Sequence, residues 1–254
     1  MVELVGILNI TPDSFSDGGD YVNSSKAIAR AMEMIEQGAS FIDIGAESTN
    51  PRSSPLQPDE EWQRLQAVLP VLVQELPGKI SVDTYHAETA RKALENGITI
   101  INDVTMFRDP AMIDLAVQYK DKVRYIISHL SPAVHSIAEA HRTMPTKSVE
   151  EVNRELLAKR QELVNHGVSE QNIIIDPGIG FGKSDAKNWE LNWELLSFAK
   201  EVPGIDVMIG YSRKRFLGEH RMEVKPNLEA AKIAIASGAK YLRVHDVAAH
   251  ATLL

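Results

Sequence analysis

The sequence predicts a (β/α)8 barrel, an α/β fold of eight parallel strands closed into a cylinder with helices outside. Short aliphatic, β-branched runs alternate with amphipathic segments along all 254 residues, at about the 30-residue spacing of β-α-β units. The helical segments close at Gly38, Gly97, Gly167 and Gly238, glycine being the residue that most readily ends a helix. The polar residues able to do chemistry follow the strands, the end at which such barrels build their sites. A doubly wound open sheet is the architectural rival, but it has fewer strands and no reason to stop at eight. No linker or break in composition divides the chain, so residues 1–254 are expected to form one domain.

Each element has its own signal. Residues 4–8 read as the first strand and lead into Asn9-Ile10-Thr11-Pro12-Asp13-Ser14-Phe15-Ser16-Asp17-Gly18-Gly19, too polar and turn-rich for anything but a loop. Ser24 or Ser25 is expected to cap a helix with Ile28, Ala31, Met32 and Ile35 on its apolar face. Residues 40–44 form the second strand. One helix over 58–75 follows, with Trp62, Leu65, Val68, Leu69 and Leu72 on one side. Strands over 79–83, 98–101 and 123–127 are separated by helices over 87–95 and 110–119. The stretch 130–148 is the least regular and a candidate mobile loop, before a charged helix over 149–165. A β-branched run at 173–175 then ends in Asp176-Pro177-Gly178-Ile179-Gly180-Phe181-Gly182-Lys183. Helices over 189–200 and 228–237 precede strands over 205–209 and 241–246. Only eight residues remain beyond Asp246, so the eighth helix is expected to be short.

Composition narrows the function. A net charge of −8 argues against a nucleic-acid groove. The absence of cysteine removes disulfides and thiolate chemistry and fits a reducing cytoplasm. Met1-Val2-Glu3-Leu4 lacks the basic and apolar regions of a secretion signal. No stretch approaches the roughly eighteen apolar residues of a membrane-spanning helix. A cytoplasmic protein with neither nucleic-acid nor membrane partners is expected.

The loop at 176–183 pairs a carboxylate at a strand end with glycines that let backbone approach a ligand. It is not a Walker A loop, because Gly178 stands one residue too close to Gly182-Lys183-Ser184. It is not a dinucleotide fingerprint either, since the third glycine falls on Lys183. The other strand ends repeat the design with Asn9, Asp13, Glu47, Thr49, Asp83, Asn102, Asp103, His129, Ser212, Arg213, Lys214, Arg243, His245 and Asp246. Any single carboxylate here has the alternative of bonding loop backbone, Asp103, Glu47 and Asp246 above all.

The set sorts by chemistry. Ser212-Arg213-Lys214, Arg243 and His245 come from the last two strands, where barrels often bind phosphate and where guanidinium forks suit a diphosphate. Asp83, Asn102 and Asp176 come from the middle strands and suit a heterocycle rich in N–H donors, with Lys214 able to meet a ring carbonyl. Phe181 is expected to protrude from its glycine loop for a planar ligand to stack upon. No His/Cys/Asp spacing suits structural zinc, whereas Asn9 beside a diphosphate suits a Mg²⁺ that keeps most of its waters. A Ser212–His245–Asp246 hydrolase triad is disfavoured, because Ser212 is flanked by Arg and Lys and lacks a nucleophile elbow. The remaining histidines, including His86 and His250, are expected in solvent, and Trp62, Trp189 and Trp193 in packing.

Six of these stretches together resemble the dihydropteroate synthase family. They are residues 9–19, Ser81-Val82-Asp83-Thr84, Ile101-Asn102-Asp103, residues 176–183, Ser212-Arg213-Lys214 and Arg243-Val244-His245-Asp246, in order over nearly the whole chain. The resemblance implies a TIM-barrel transferase of folate synthesis. Such an enzyme joins p-aminobenzoate to 6-hydroxymethyl-7,8-dihydropterin diphosphate, giving 7,8-dihydropteroate and diphosphate with the help of Mg²⁺. It further implies that Asp83, Asn102, Asp176 and Lys214 hold the pterin, and that Asn9, Arg243 and His245 take the diphosphate, Asn9 also reaching Mg²⁺. Thr49, Phe181, Lys183 and Ser212 would line the p-aminobenzoate side, with Arg213 a further substrate contact.

The departures are local. The family's second-strand loop reads Gly-Gly-Glu-Ser-Thr-Arg-Pro-Gly, against Gly45-Ala46-Glu47-Ser48-Thr49-Asn50-Pro51-Arg52 here. Asn50 in place of arginine resembles the family's sulfonamide-resistant variants, and Arg52 is the nearest substitute. Ser128-His129-Leu130 replaces Met-His-Met after the fifth strand. The family implies a homodimer built partly from the region shortened here. Two other readings share the pterin residues: a pterin-binding barrel with weak or no synthase activity, and the methyltetrahydrofolate-binding module of methyltransferases. The second has no need of the cationic cluster at 212–214, Arg243 and His245.

Overall fold

Hydrogen bonding links the eight strands in sequence order and returns the last to the first, all parallel, so the sheet is a closed barrel. In this computed structural model the described residues are 1–11, 20–47, 55–134, 137–140, 148–194 and 204–254, the side chains of 20–23 and 138 excepted. The strands are β1 (Glu3–Asn9), β2 (Ala39–Gly45), β3 (Ile80–Asp83), β4 (Ile100–Asp103), β5 (Arg124–Ser128), β6 (Ile173–Asp176), β7 (Asp206–Ile209) and β8 (Tyr241–Val244). The helices are α1 (Asp20–Glu36), α2 (Pro58–Leu65), α3 (Leu69–Glu75), α4 (Ala87–Glu95), α5 (Pro110–Gln118), α6 (Ile137–Ala140), α7 (Val149–Asn165), α8 (Asp185–Trp193), α9 (Val224–Ala236) and α10 (Val247–Ala251). No helix among the described residues is long and apolar enough to cross a membrane.

Several expectations are corrected. The helix expected over 58–75 is two helices, because Pro70 lies in the first turn of α3, where a missing N–H costs least but cannot continue the helix before it. Leu65, Val68, Leu69 and Leu72 are nonetheless all buried, so the apolar face survives the break. α1 starts at Asp20, which puts Ser24 and Ser25 inside it rather than at its cap. α8 starts at Asp185, not 189, since Ser184 Oγ accepts the Lys187 N–H at 3.2 Å and caps it there. Its expected end at 200 lies outside the described residues. α9 starts at Val224, tolerating Pro226 in its first turn. Within 130–148 the described part includes the short α6. α10 has five residues.

The barrel interior changes character along the strands. Val5, Phe41, Ile100, Ile126, Ile174, Met208 and Tyr241 form one buried apolar cluster. Side chains of a strand alternate between faces, so two residues further along the same inner face carries Ile7, Asp43, Asn102, Ser128, Asp176, Gly210 and Arg243. The apolar layer is sealed below by Arg124, whose guanidinium lies 5.2 Å from the Phe41 ring centroid and bonds the Tyr241 hydroxyl at 3.4 Å. Above that layer polar side chains collect toward the carboxyl ends of the strands, on a dry apolar floor.

Candidate active site

A cavity of about 700 Å³ opens at that end, and its wall includes Asn9, Asp83, Asn102, Asp176, Phe181, Lys183, Ser212, Arg213, Lys214, Arg243 and His245. These are eleven of the twelve site residues expected from the sequence. The twelfth, Thr49, lies outside the described residues, as do Asp13, Asn50 and Arg52.

The pocket floor is a network of carboxylates around one guanidinium. Arg243 on β8 donates from Nε to Asp43 Oδ2 and from Nη2 to Asp83 Oδ2, each at 2.6 Å. Asp43 also accepts from Ser81 Oγ at 2.6 Å and from Asn102 Nδ2 at 2.8 Å. The Asn102 amide is thereby oriented, and its buried Oδ1 has no protein partner. Burial and the neighbouring Asp43, Glu61 and Asp103 push Asp83 up to about 7, against the pull of Arg243. Burial also works against the charge on Arg243, but Asp43 and Asp83 more than offset it and hold its pKa above the ordinary value.

Asp176 and Lys214 form the second half. A Cβ built on Gly210 would stand 3.6 Å from Asp176 Oδ2, 3.7 Å from Lys214 Nζ and 3.8 Å from Arg243 Cδ, so these groups converge above the end of β7. Burial raises Asp176, opposed by Lys214 and by the Gly178 N–H that Oδ1 accepts at 2.6 Å. Burial pushes Lys214 down to about 8, opposed by Asp176. Lys214 Nζ donates to the Ile179 carbonyl and lies 4.8 Å from the Phe181 ring centroid.

The glycine loop owes its path to close packing. Gly178 has φ +65°, and a Cβ there would fall 2.0 Å from the His129 carbonyl oxygen. At Gly180, φ +88°, a Cβ would fall 2.9 Å from Lys214 Cδ. Lys183 turns its ammonium into the loop, reaching His129 Nδ1 (3.0 Å), the Gly178 carbonyl (3.0 Å) and the Phe181 carbonyl (3.1 Å). Phe181 does not protrude as expected. It is 8% exposed and packs with Val104, Leu130, Val134 and Ala140 while showing an edge to the cavity.

The opposite wall holds the groups expected to take a diphosphate. Ser212 Oγ accepts the backbone N–H of His245 at 3.3 Å and meets its Nδ1 at 3.0 Å. The Ser212 proton can then point at Nδ1, the arrangement that leaves the ring N–H on Nε2. Burial, then Arg213, Arg243 and Lys214, push His245 down to about 3, so at neutral pH it is a hydrogen-bond donor and not a cation. Arg213 is exposed at the rim and takes φ +60°, held by its N–H to Asn227 Oδ1 at 2.9 Å. Asn9 stands across Gly45 from Asp83. The Ser212–His245 pair has no third triad member, because Asp246 caps α10 through the Ala249 N–H.

Asp103 and Glu47 bond loop backbone, at Thr105 and Phe107 and at Leu56 respectively. Two expectations fail elsewhere. His250 is buried and His86 half-buried against Glu47, not solvated, and Trp193 is 55% exposed, not packed. The residue that strand-end reading missed is Asp43, in the middle of an apolar strand. Its signal was the period-two set Phe41, Asp43, Gly45, which places a carboxylate on the inner face.

A barrel with an acceptor-lined floor, a lysine and a cationic rim is the architecture of pterin-binding enzymes, whose family model matches residues 5–245. The chain is 38% identical to a dihydropteroate synthase of Bacillus subtilis, over 96% of this chain and 83% of that protein. A Xanthomonas albilineans dihydropteroate synthase solved in complex with 7,8-dihydropteroate superposes with a TM-score of 0.85 at 33% identity, covering 99% of this chain and 92% of that one. A Yersinia pestis dihydropteroate synthase solved with a sulfonamide drug gives 0.88 at 30% identity, covering 99% and 91%. The chain belongs to the dihydropteroate synthase family.

Proposed function

We propose that the chain joins p-aminobenzoate to 6-hydroxymethyl-7,8-dihydropterin diphosphate, forming 7,8-dihydropteroate and releasing diphosphate. The observation that carries this reading is the convergence of Asp83, the unpartnered Asn102 Oδ1 and Asp176 Oδ2 opposite the Lys214 ammonium. Acceptors facing one donor complement a ring bearing an amino group and N–H groups beside a carbonyl.

In this reading the pterin lies on the floor, with its diphosphate toward Asn9, Arg213, Arg243 and the Nε2 proton of His245. As the C–O bond to diphosphate stretches, positive charge grows on the pterin methylene, and the Asp83 carboxylate stabilises it from below. The amine of p-aminobenzoate attacks that carbon as the leaving group departs, then gives up its proton. An aromatic amine is already a competent nucleophile, so no strong general base is required. Lys183 holds the loop that carries Phe181, and with Ser212 the loop borders the p-aminobenzoate side.

The donor set fits Mg²⁺ arriving with its substrate. Among the described residues no group of three or more His, Cys, Asp or Glu could hold a metal alone, while the Asn9 amide oxygen at the cavity edge offers one hard ligand. Mg²⁺ held there would neutralise diphosphate charge. A cytoplasmic setting and a homodimer belong to the same proposal, and sedimentation velocity tests the latter.

The experiment is diphosphate release from the pterin diphosphate with Mg²⁺, with and without p-aminobenzoate. Release that requires p-aminobenzoate and yields dihydropteroate is expected. Pterin binding without release would identify a silent pterin-binding barrel instead.

A further inference from the structure

Asp43 does no work in the scheme above, yet it is fully buried and its two oxygens receive three donors. It is absent from the cavity wall. It lies behind that wall, where it touches the two residues whose orientation the pterin floor depends on.

We infer that Asp43 is a positioning residue that sets the hydrogen-bonding sense of the pterin floor, holding Asn102 with its oxygen toward the ligand and Arg243 against Asp83. This rests on the pterin reading. A carboxamide offers either its oxygen or its nitrogen to a ligand, and the two senses differ by a half-turn about one bond. A carboxylate behind it removes the choice, because Asp43 only accepts, so Nδ2 is drawn down to it and Oδ1 is left facing the cavity. The same Oδ2 takes Arg243 Nε, which aims Nη2 at Asp83. Ser81 Oγ on the other oxygen fixes the carboxylate itself. Without Asp43, Asn102 is equally able to present a donor, and the floor no longer matches a donor-rich ring edge.

Asp43 also bears on the state of Asp83. The groups facing Asp83 are Arg243 from β8, Asp43 from β2, Glu61 from α2, Asp103 from β4 and Lys214 beyond β7. Two carboxylates share the one guanidinium, so removing the charge of Asp43 leaves Arg243 to Asp83 alone and favours the ionised Asp83.

Two variants separate orientation from charge. Asp43→Leu removes both, and calorimetric binding of 6-hydroxymethyl-7,8-dihydropterin is expected to weaken about tenfold to a few hundredfold, the loss of one well-placed charged hydrogen bond. The KM for p-aminobenzoate, which sits away from Asn102, stays within about threefold. Asp43→Asn keeps an oxygen for Arg243 and Asn102 and loses only the charge. It is expected to bind pterin nearly as the parent does at neutral pH, with the acid-side loss of affinity displaced to lower pH. If Asp43→Leu does not fold, Asp43→Ser takes its place, since it removes the carboxylate that orients Asn102 and Arg243: weakened pterin binding supports the inference, and parental binding overturns it. A parent that binds pterin while Asp43→Leu binds it equally well overturns the inference but not the function. A parent that binds no pterin overturns both.

Discussion

At the scale of single residues, burial holds Asp83, Asp176, Lys214 and His245 away from their ordinary ionisation. Gly210 offers a test of that arrangement which leaves the charges alone. Its backbone is of ordinary hand, and an added methyl would meet Asp176 Oδ2, Lys214 Nζ and Arg243 Cδ at 3.6 to 3.8 Å, normal contact distances. Gly210→Ala should therefore fold with a thermal midpoint close to the parent's. The methyl nevertheless occupies the point where the pterin-binding Asp176 and Lys214 converge beside Arg243. The expected result is a KM for the pterin diphosphate raised at least about tenfold, the cost of about 1.4 kcal/mol of misfit, with the KM for p-aminobenzoate little changed. Steady-state kinetics with each substrate varied in turn would show it. Equal effects on both substrates would mean that the methyl disturbs the barrel rather than the pterin pocket.

At the scale of elements, the strand-to-loop junctions were legible because a short aliphatic run that gives way to polar or turn-forming residues marks where a buried strand must stop. Ile173–Asp176 and the glycine loop after it, Ile80–Asp83 and Tyr241–Val244 all appear within a residue or two of where the sequence places them. Helix starts were less legible. Ser184 caps α8 although Trp189 is its first large apolar residue, and Pro70 breaks a helix whose apolar face runs on unbroken. Asp43 escaped because a charge within a strand signals nothing until the strand is known to line the inside of a closed barrel. Phe181 was misplaced for a related reason: a glycine loop looks exposed in sequence, but α6 and the segments after β4 and β5 supply a pocket for its ring. The junction after β6 is the most constrained of these. Gly178→Ala must place a Cβ at φ +65° and 2.0 Å from the His129 carbonyl oxygen. The backbone alone costs about 1–2 kcal/mol, and relief of the clash requires the loop to move and the Lys183 anchors to open. The urea midpoint is expected to fall by more than that backbone cost accounts for, with pterin affinity falling alongside. A variant as stable as the parent would show that the loop has another conformation of similar energy.

At the scale of the whole molecule, the site draws on the stability of the barrel, and the balance depends on pH. His245 carries its proton in the unfolded chain below about 6.5, whereas burial and the surrounding cations hold it neutral in the folded chain down to about 3. Between those values the unfolded state binds one more proton at this position, so acidification favours unfolding. His250 is lowered by burial and acts in the same direction. Asp83 and Asp103, raised by burial to about 7 and about 6, act oppositely: folded, they take up protons before the unfolded chain does and gain stability as pH falls toward 4. Because these contributions oppose one another, the His245 contribution becomes visible by difference. Between pH 7 and pH 5 the parent should lose up to about 2 kcal/mol relative to His245→Asn, one proton at about 1.36 kcal/mol per pH unit below the unfolded pKa. Urea unfolding of both proteins at pH 7.5, 6 and 5 measures this, and the two curves should run parallel above pH 7. Curves parallel throughout would show that His245 titrates in the fold as it does in water, and it would then add a positive charge to the phosphate wall below about pH 6.5.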